Sequence, residues 1–255
     1  MEYISNDKIQ KMKLTQDNVC IITDFDKTLT KSNCSDSWDA AANRKVFGDG
    51  LADELNLLYK KYGPIETNYD IDMEQKEKYM IEWYDKCMDL YYKYKITKDK
   101  LDESIQESNL ELRQEAIIFL QDMKDKNIPV IILSAGIGNS IEKCLKMANC
   151  YFDNVYIISN FIKFEKNGKM QKFSGKMLHS LNKNIDDVMQ KEPEIEKIVN
   201  SKEYRIVMGD LIEDIQMAGK FDEDKLLKIG ILNKNSRNSI ELYKKEFDII
   251  FLMED

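Results

Sequence analysis

The sequence predicts an α/β protein with a mostly parallel sheet and a block of helices inserted after the first strand. Short apolar, β-branched runs alternate with helical segments over residues 110–255. Residues 32–109, in contrast, show helical periodicity and no strand-like run. We therefore expect a Rossmann-like core of residues 1–31 and 110–255, with helices on both faces of its sheet, and a helical cap of residues 32–109.

The first predicted strand is the run VCIIT at 19–23, which follows a polar leader. Beyond residue 32 the apolar residues recur at intervals of three and four, which indicates amphipathic helices. One stripe consists of Leu51, Leu55, Leu58, Tyr59 and Tyr62, and a second consists of Met80, Trp83, Tyr84, Cys87, Tyr91 and Tyr94.

Strands and helices then alternate to the end of the sequence. A helix over 112–126 precedes the strand PVIIL, which leads into the small-residue loop 134–140 and a helix over 141–149. Asn167-Gly168, between alternating apolar segments, predicts a hairpin. Helical segments separate the three remaining strands, which are YRIVM, LKIGIL and FDIIFLM.

Composition excludes several classes of protein. The 255 residues are 43% hydrophobic and include only 3 Pro, as expected of an ordered chain rich in helix. A net charge of −8 argues against a general nucleic-acid binder, which needs a basic face. The beginning lacks a secretory signal, and no apolar run is long enough to span a bilayer. Five cysteines without a Cys-x-x-Cys pair suggest reduced thiols, so we expect a cytoplasmic chain without membrane partners.

Carboxylates follow two of the predicted strands. Asp24 and Asp26 come after VCIIT, and Asp210 and Asp214 come after YRIVM. Ligands bind beyond the carboxyl ends of strands in such sheets, where clustered carboxylates would raise one another's pKa. A hard divalent cation such as Mg²⁺ removes that repulsion. The alternative is that Asp210 and Asp214 only begin a helix, where acids are favoured.

A third strand end offers a phosphate site. Ser134 opens a loop of small residues before a helix, so backbone N–H groups and a hydroxyl can face an anion. The alternative is that the loop glycines only turn the chain. Asp24 could then attack phosphorus, and Asp26, on the same side of an extended chain, could carry the proton.

These residues resemble the motifs of the haloacid dehalogenase-like phosphohydrolases. The motifs are Asp24-Phe-Asp26-Lys-Thr28, Ser134 and Gly209-Asp210-x-x-x-Asp214, in this order. Further stretches are similar to the cytosolic 5′-nucleotidase type III family, the pyrimidine and 7-methylguanosine nucleotidases: ITDFDKTLT, YMIEWY, SAGIG, ISNF, LNK and MGD. The resemblance extends from about residue 19 to residue 253.

The resemblance implies a role for each matching residue. Asp24 would be the nucleophile and a metal ligand, and Asp26 the general acid and base, with its main-chain carbonyl also on the metal. The other assignments are phosphate binding by Ser134 and Ala135, charge stabilisation by Lys183, and completion of the Mg²⁺ site by Asp210 with Asp214. Lys183 is assigned only by its match to the LNK motif.

The cap would recognise the base. Glu66 matches a glutamate that contacts the base in the family, and its carboxylate could accept hydrogen bonds from ring N–H groups. Trp38 lies in the cap, where an aromatic side chain could stack on the base, whereas Trp83 belongs to an apolar stripe that packs the cap. Cys87 stands where the family commonly has a serine, which weakens any hydrogen bond to substrate there. The only histidine, His179, is expected to be structural.

We expect a Mg²⁺-dependent 5′-nucleotidase that acts as a monomer on a nucleoside 5′-monophosphate. One alternative with the same chemistry is a phosphatase for phosphoserine or another small phosphomonoester. A remote alternative is a phospho-receiver domain, which would need neither Asp26 as an acid nor a cap. Sequence alone does not select the base.

Overall fold

The computed structural model describes residues 2–66, 68 and 70–255, so Met1, Thr67 and Tyr69 lie outside the described residues. The described residues form one seven-stranded sheet with the order β1-β7-β6-β5-β2-β3-β4. The strands are β1 (Glu2–Ser5), β2 (Val19–Thr23), β3 (Val130–Ile137), β4 (Val155–Asn160), β5 (Tyr204–Gly209), β6 (Leu226–Leu232) and β7 (Ile249–Leu252).

Strand β2 lies inside the sheet between β5 and β3. Val19 pairs with Tyr204 on one side, and Ile21 pairs with Val130 on the other, both in parallel. Of the strand pairs in the described residues, only β1 and β7 run antiparallel. The prediction of an α/β fold with a mostly parallel sheet is confirmed, and the carboxyl ends of β2, β3 and β5 are neighbours.

The polar leader contains a strand that the sequence analysis did not predict. Glu2–Ser5 pairs with β7, and Tyr3 lies opposite Phe251 with 6.1 Å between the ring centroids. This segment is mostly exposed, so it lacks the apolar run by which β2 was identified. Its partner, β7, supplies the hydrogen bonds that define it as a strand.

The helices surround this sheet. They are α1 (Lys8–Lys11), α2 (Ser37–Ala41), α3 (Arg44–Phe47), α4 (Asp49–Glu66), α5 (Met73–Lys93), α6 (Lys98–Gln106), α7 (Gln114–Asp125), α8 (Gly138–Met147), α9 (Ile185–Met189), α10 (Pro193–Asn200) and α11 (Ile240–Glu246). Helices α2 to α6 follow β2, and the two apolar stripes of the sequence lie on α4 and α5. None of the helices described is both long and apolar enough to cross a membrane.

Two local predictions need correction. Strand β3 continues to Ile137, with an irregular register after Leu133, and α8 begins at Gly138 rather than at residue 141. The helix predicted after Asp210 is present as a 3₁₀-helix, Ile212–Ala218. The predicted turn at Asn167-Gly168 is present, with Gly168 at φ +79° and a bridge between Phe164 and Met170.

Buried side chains form separate clusters on the two faces of the sheet. Alternate residues of β2 point to opposite faces, so Ile21 joins the cluster containing Leu120 while Ile22 joins that containing Val199. A third cluster joins Leu51, Tyr91 and Ile105 of the inserted helices to Ile137 and Met177. The inserted helices therefore pack directly on the end of β3.

Candidate active site

Three carboxylates converge at the carboxyl edge of the sheet. Asp24 follows β2, Asp210 follows β5, and Asp214 lies on the 3₁₀-helix Ile212–Ala218. One carboxylate oxygen of each lies within 4.8 Å of the others. Asp24 and Asp214 are buried, at 7% and 1% exposure. Oxygen ligands in this arrangement fit a hard divalent cation.

Lys183 bridges two of these carboxylates. Its Nζ lies 2.8 Å from Asp24 Oδ1 and 2.5 Å from Asp214 Oδ1. Burial opposes the charge of Lys183, but Asp214 and Asp24 outweigh it and raise its pKa. Lys183 is therefore an ammonium at neutral pH, beside the predicted nucleophile, although it precedes α9 and lies far from Asp24 in the sequence.

Crowding perturbs the other acids of the site. Burial raises the pKa of Asp24, an effect that Lys183 opposes and the charge of Asp214 reinforces. Burial also raises the pKa of Asp210, and the charges of Asp214 and Asp24 add to the shift. The side chains of the protein thus do not fully compensate the negative charges of these carboxylates, as expected of a site that holds a cation.

Asp26 is held by a residue that the sequence analysis missed. Ser37, at the start of α2, donates its backbone N–H to Asp26 Oδ1 at 2.8 Å and its hydroxyl to Oδ2 at 2.5 Å. Burial and the charge of Asp36 raise the pKa of Asp26 to about 8, against the hydrogen bonds from Ser37. Asp26 is therefore mainly protonated at pH 7, as a general acid must be before it donates.

The predicted phosphate-binding residues lie at the end of β3. Ser134 is buried, and its hydroxyl accepts a hydrogen bond from the N–H of Gly136 at 3.1 Å. The carbonyl of Ala135 accepts from Asn160 Nδ2 at 2.9 Å and from Trp38 Nε1 at 3.2 Å. Trp38 also packs edge-on against Tyr84, so within the described residues its ring contributes to packing around this strand end.

Glu66 ends helix α4 near the carboxylate cluster. Burial raises its pKa, while Ser180, Lys183 and Lys27 oppose the shift, which places the carboxylate within electrostatic reach of the lysine of the site. Cys87 is buried on α5, and burial raises its pKa to about 12, so its thiol is neutral at pH 7. Trp83 stacks on Tyr62 with centroids 6.0 Å apart, as expected of a residue that packs the inserted helices.

Tyr84 and His179 connect the inserted helices to the core. Their rings meet edge to face, with 6.1 Å between centroids. His179 is buried and lies four residues before Lys183 in the chain. Its Nδ1 accepts a hydrogen bond from the N–H of Leu181 at 3.3 Å. The structural role expected of His179 agrees with this packing.

Arg113 was also missed by the sequence analysis. It is 2% exposed and donates to the carbonyls of Lys27 and Thr28, which follow Asp26 directly. It further donates to Asn233 Oδ1 at 2.7 Å and to Asp255 Oδ1 at 2.6 Å. No local pattern around Arg113 indicates this role, because its partners come from three distant parts of the chain.

This fold and site define a haloacid dehalogenase-like phosphohydrolase. The Asp-x-Asp pair follows an interior strand of the sheet, with a buried lysine and two further acids against it. The solved structure of substrate-bound phosphoserine phosphatase shares the fold, with a TM-score of 0.57 at 19% identity over 93% of this chain and 94% of that one.

Residues 21–255 match the family described as "Pyrimidine 5′-nucleotidase (UMPH-1)", and the chain belongs to this family. It is 30% identical over 256 residues to the 7-methylguanosine phosphate-specific 5′-nucleotidase A of Xenopus laevis, covering 98% of this chain and 88% of that protein. The 7-methylguanosine phosphate-specific 5′-nucleotidase of Homo sapiens is 31% identical over 240 residues, with coverages of 92% and 79%.

A solved structure of a related nucleotidase supports the same assignment. The structure of cytosolic 5′-nucleotidase IIIB bound to cytidine has a TM-score of 0.79 and 30% identity, and the match covers 93% of this chain and 81% of that one. The predicted membership of this family is confirmed. The prediction of an enzyme is confirmed as well, since 5′-nucleotidases are phosphoric monoester hydrolases.

Proposed function

We propose that this protein is a Mg²⁺-dependent 5′-nucleotidase that hydrolyses a nucleoside 5′-monophosphate, of pyrimidine or 7-methylguanosine type, through an aspartyl-phosphate on Asp24. The observation that carries the proposal is the buried Asp24 carboxylate, bound by Lys183 and accompanied by an Asp26 whose pKa lies near 8.

The first half of the reaction forms the covalent intermediate. Asp24 attacks phosphorus, and the bond from phosphorus to the 5′ oxygen breaks as Asp26 gives its proton to that oxygen. Lys183 keeps Asp24 anionic before the attack and offers positive charge to the phosphoryl oxygens, where negative charge must be stabilised in the transition state. The nucleoside then leaves as the first product.

The second half reverses the role of Asp26. Its carboxylate now accepts a proton from water, the water oxygen attacks phosphorus, and the bond between phosphorus and Asp24 breaks to release phosphate. The N–H groups and hydroxyl at Ser134 and Ala135 would hold the phosphate during both halves. Ser37 maintains the position of Asp26 through its two hydrogen bonds.

A divalent metal suits the donor set of the site. Asp24, Asp210 and Asp214 would hold it with their carboxylates, and Asp26 would add its main-chain carbonyl. When bound, Mg²⁺ supplies positive charge that compensates the transferring phosphoryl group.

Base recognition is assigned to the inserted helices. The half-buried Glu66 carboxylate can accept hydrogen bonds from an N–H edge. Burial and the charge of Glu66 raise the pKa of Tyr84, and Tyr84 packs against Trp38. The relatives named for 7-methylguanosine phosphate and the cytidine-bound structure support a nucleotide rather than phosphoserine.

The nucleophile can be tested directly with Asp24→Asn. This variant should lower phosphate release by on the order of 10³-fold or more while the fold is retained, because the amide cannot form the acyl phosphate. Asp17→Asn, at an exposed carboxylate, is the matched control and should behave as wild type. Turnover by Asp24→Asn at the wild-type rate would exclude the mechanism.

A phosphate-release panel tests the substrate and the metal. We expect activity on at least one of UMP, CMP and 7-methyl-GMP with Mg²⁺, and loss of that activity with a chelator. AMP serves as the test of base selectivity. Hydrolysis of phosphoserine alone would reject the nucleotidase proposal, and chelator-resistant activity would reject the metal.

Cytoplasmic action is part of this proposal. All five cysteines are free and four of them are buried, which suits a reducing compartment. The predicted monomeric state can be tested by light scattering, which measures the molar mass in solution.

A further inference from the structure

Helix α5 carries a charged residue on its buried face. The buried positions of this helix include Met80, Tyr84, Cys87 and Tyr91, and Lys76 lies on the same stripe one turn before Met80. Lys76 is 1% exposed, although lysine is almost never fully buried without a partner. An apolar residue would satisfy the packing of this stripe, so the lysine needs another explanation.

Lys76 forms an ion pair with the segment that carries the predicted metal ligands. Its Nζ lies 3.2 Å from Oε1 of Glu213, between Asp210 and Asp214 in the chain. The exposed fractions of the two side chains are 2% and 11%. Lys78, in contrast, pairs with Glu74 on the surface of α5, where the side chains are 64% and 79% exposed.

The energetics of a buried ion pair favour a role in positioning. Removing both charges from water costs free energy that their attraction hardly recovers, so such a pair is a poor source of stability. Removal of one partner alone, in contrast, leaves the other charge buried without compensation, which is strongly unfavourable unless the boundary opens to water. The pair therefore selects one placement of α5 against the 3₁₀-helix Ile212–Ala218.

We propose that Lys76 and Glu213 form a latch that holds α5 in its closed position over the active site. Two to three turns further along, the same helix presents Tyr84 and Cys87, and Tyr84 meets His179 of the core. Lys76 is thus a positioning residue. It affects the substrate through the position of the aromatic face of α5 and does not contact the substrate itself.

The consequence for catalysis rests on the proposed nucleotidase function. If nucleotide binds only when α5 is closed, its apparent affinity falls in proportion to the closed fraction. Opening the latch should therefore raise KM for the nucleotide. It should change kcat little, because Asp24, Asp26 and Lys183 belong to the core.

Lys76→Met tests the latch, since methionine fits an apolar stripe and removes the charge that pairs with Glu213. We expect KM for the preferred nucleotide to rise about tenfold, with kcat within about threefold of wild type. Glu213→Gln should have a similar effect, and the double variant should be no worse than either single variant. Lys78→Met, on the exposed side of α5, is the matched control and should leave KM unchanged.

Amide hydrogen exchange tests the latch independently of activity. In Lys76→Met the amides of α5 should exchange about tenfold faster than in wild type, while those of β2 should not change. Exchange equal to that of Lys78→Met would overturn the latch. Faster exchange with unchanged KM would overturn its effect on substrate. Failure of the proposed function would appear differently, as wild-type protein that hydrolyses no nucleotide.

Discussion

At the scale of single residues, the loop that carries Asp24 and Asp26 adopts an unusual backbone conformation. Lys27 lies in the left-handed region at φ +59°, which a residue with a Cβ adopts only at a cost of about 1 kcal/mol or more. The carbonyl of Lys27 accepts hydrogen bonds from both Arg113 and Asn233, and Thr28 Oγ1 lies 3.4 Å from Asp210 Oδ1. These contacts hold the turn that places Asp26.

Arg113→Lys should impair catalysis more than substrate binding. Lysine keeps the charge, but its single nitrogen has three donors and cannot serve all four acceptors that Arg113 reaches, which are the Lys27 and Thr28 carbonyls, Asn233 Oδ1 and Asp255 Oδ1. The loop should therefore shift relative to Asp24. Because small displacements at a reacting centre are costly, we expect kcat to fall about tenfold or more with KM within about twofold. Steady-state phosphate release measures both.

Arg44→Lys provides the control for this substitution. Arg44 is an exposed arginine of α3 that pairs with Asp49 and Asp53, so its replacement should leave kcat unchanged. Equal kcat values for Arg113→Lys and wild type would show that the loop does not depend on the hydrogen bonds of Arg113.

The sequence predicted site residues where they follow strands. Asp24, Asp26, Ser134 and Asp210 are adjacent in space because parallel strands bring their carboxyl ends together. Lys183 follows no strand directly, so only resemblance to a family indicated it. The contacts of Ser37 with Asp26 depend on how the chain turns into α2, and those of Arg113 join distant segments. Periodicity and spacing encode neither set of contacts.

At the scale of secondary structure, the end of β5 is shaped to receive the 3₁₀-helix that follows it. A Cβ on Gly209 would collide with the side chain of Asp214. Asp214 Oδ2 accepts from the N–H of Leu211 at 3.0 Å, and Oδ1 binds Lys183. The missing side chain at Gly209 therefore permits the acid and the lysine to meet.

Gly209→Ala should weaken metal binding. Displacement of Asp214 disturbs the carboxylate cluster, and losses of this kind commonly cost 10- to 100-fold in metal affinity. We expect the Mg²⁺ concentration for half-maximal activity to rise by about that factor. Titration calorimetry with Mg²⁺ on the two proteins would check the same change without substrate.

Gly50→Ala is a suitable comparison. A Cβ there would press on the Tyr94 ring within the inserted helices, remote from the acids. It can lower the melting temperature, but the Mg²⁺ requirement should stay at the wild-type value. If the Mg²⁺ requirement of Gly209→Ala were unchanged as well, the contact between residue 209 and Asp214 would not matter for metal binding.

Prediction of elements was accurate where periodicity was strong and weaker at edges. Helices α4 and α5 and strands β2, β5 and β6 follow clear patterns of apolar residues. Strand β1 does not, since it is exposed and forms by pairing with β7. The extension of β3 through Ala135 and Gly136 depends on β4, whose Asn160 pairs with Ile137, and small residues alone do not indicate it.

At the scale of the whole molecule, the inserted helices and the core share a buried boundary. His179 lies on it, 1% exposed, and burial together with Lys176 lowers its pKa to about 4. The ordinary pKa of histidine is about 6.5. Near pH 6, therefore, His179 binds a proton in the unfolded chain but stays neutral in the folded chain.

Global stability should fall in mild acid through His179. The contribution is fully present above pH 6.5 and is lost as the pH falls from 6.5 toward 4. Between pH 7 and pH 5 we expect a loss of about 1 to 2 kcal/mol in the free energy of unfolding. Urea unfolding of wild type and His179→Gln at both pH values isolates this part, since other titrating groups are common to the two proteins. An equal loss in both proteins would contradict the assignment.

The position of β2 inside the sheet also has a consequence for how the protein folds. Val19 pairs with Tyr204 and Ile21 with Val130, so the strand before Asp24 has no partner nearby in sequence. Closing such long loops costs chain entropy before any contact compensates it, and chains rich in distant pairings fold slowly. We therefore expect the active site to be among the last features to form during refolding, so that recovered turnover would report the assembly of the sheet.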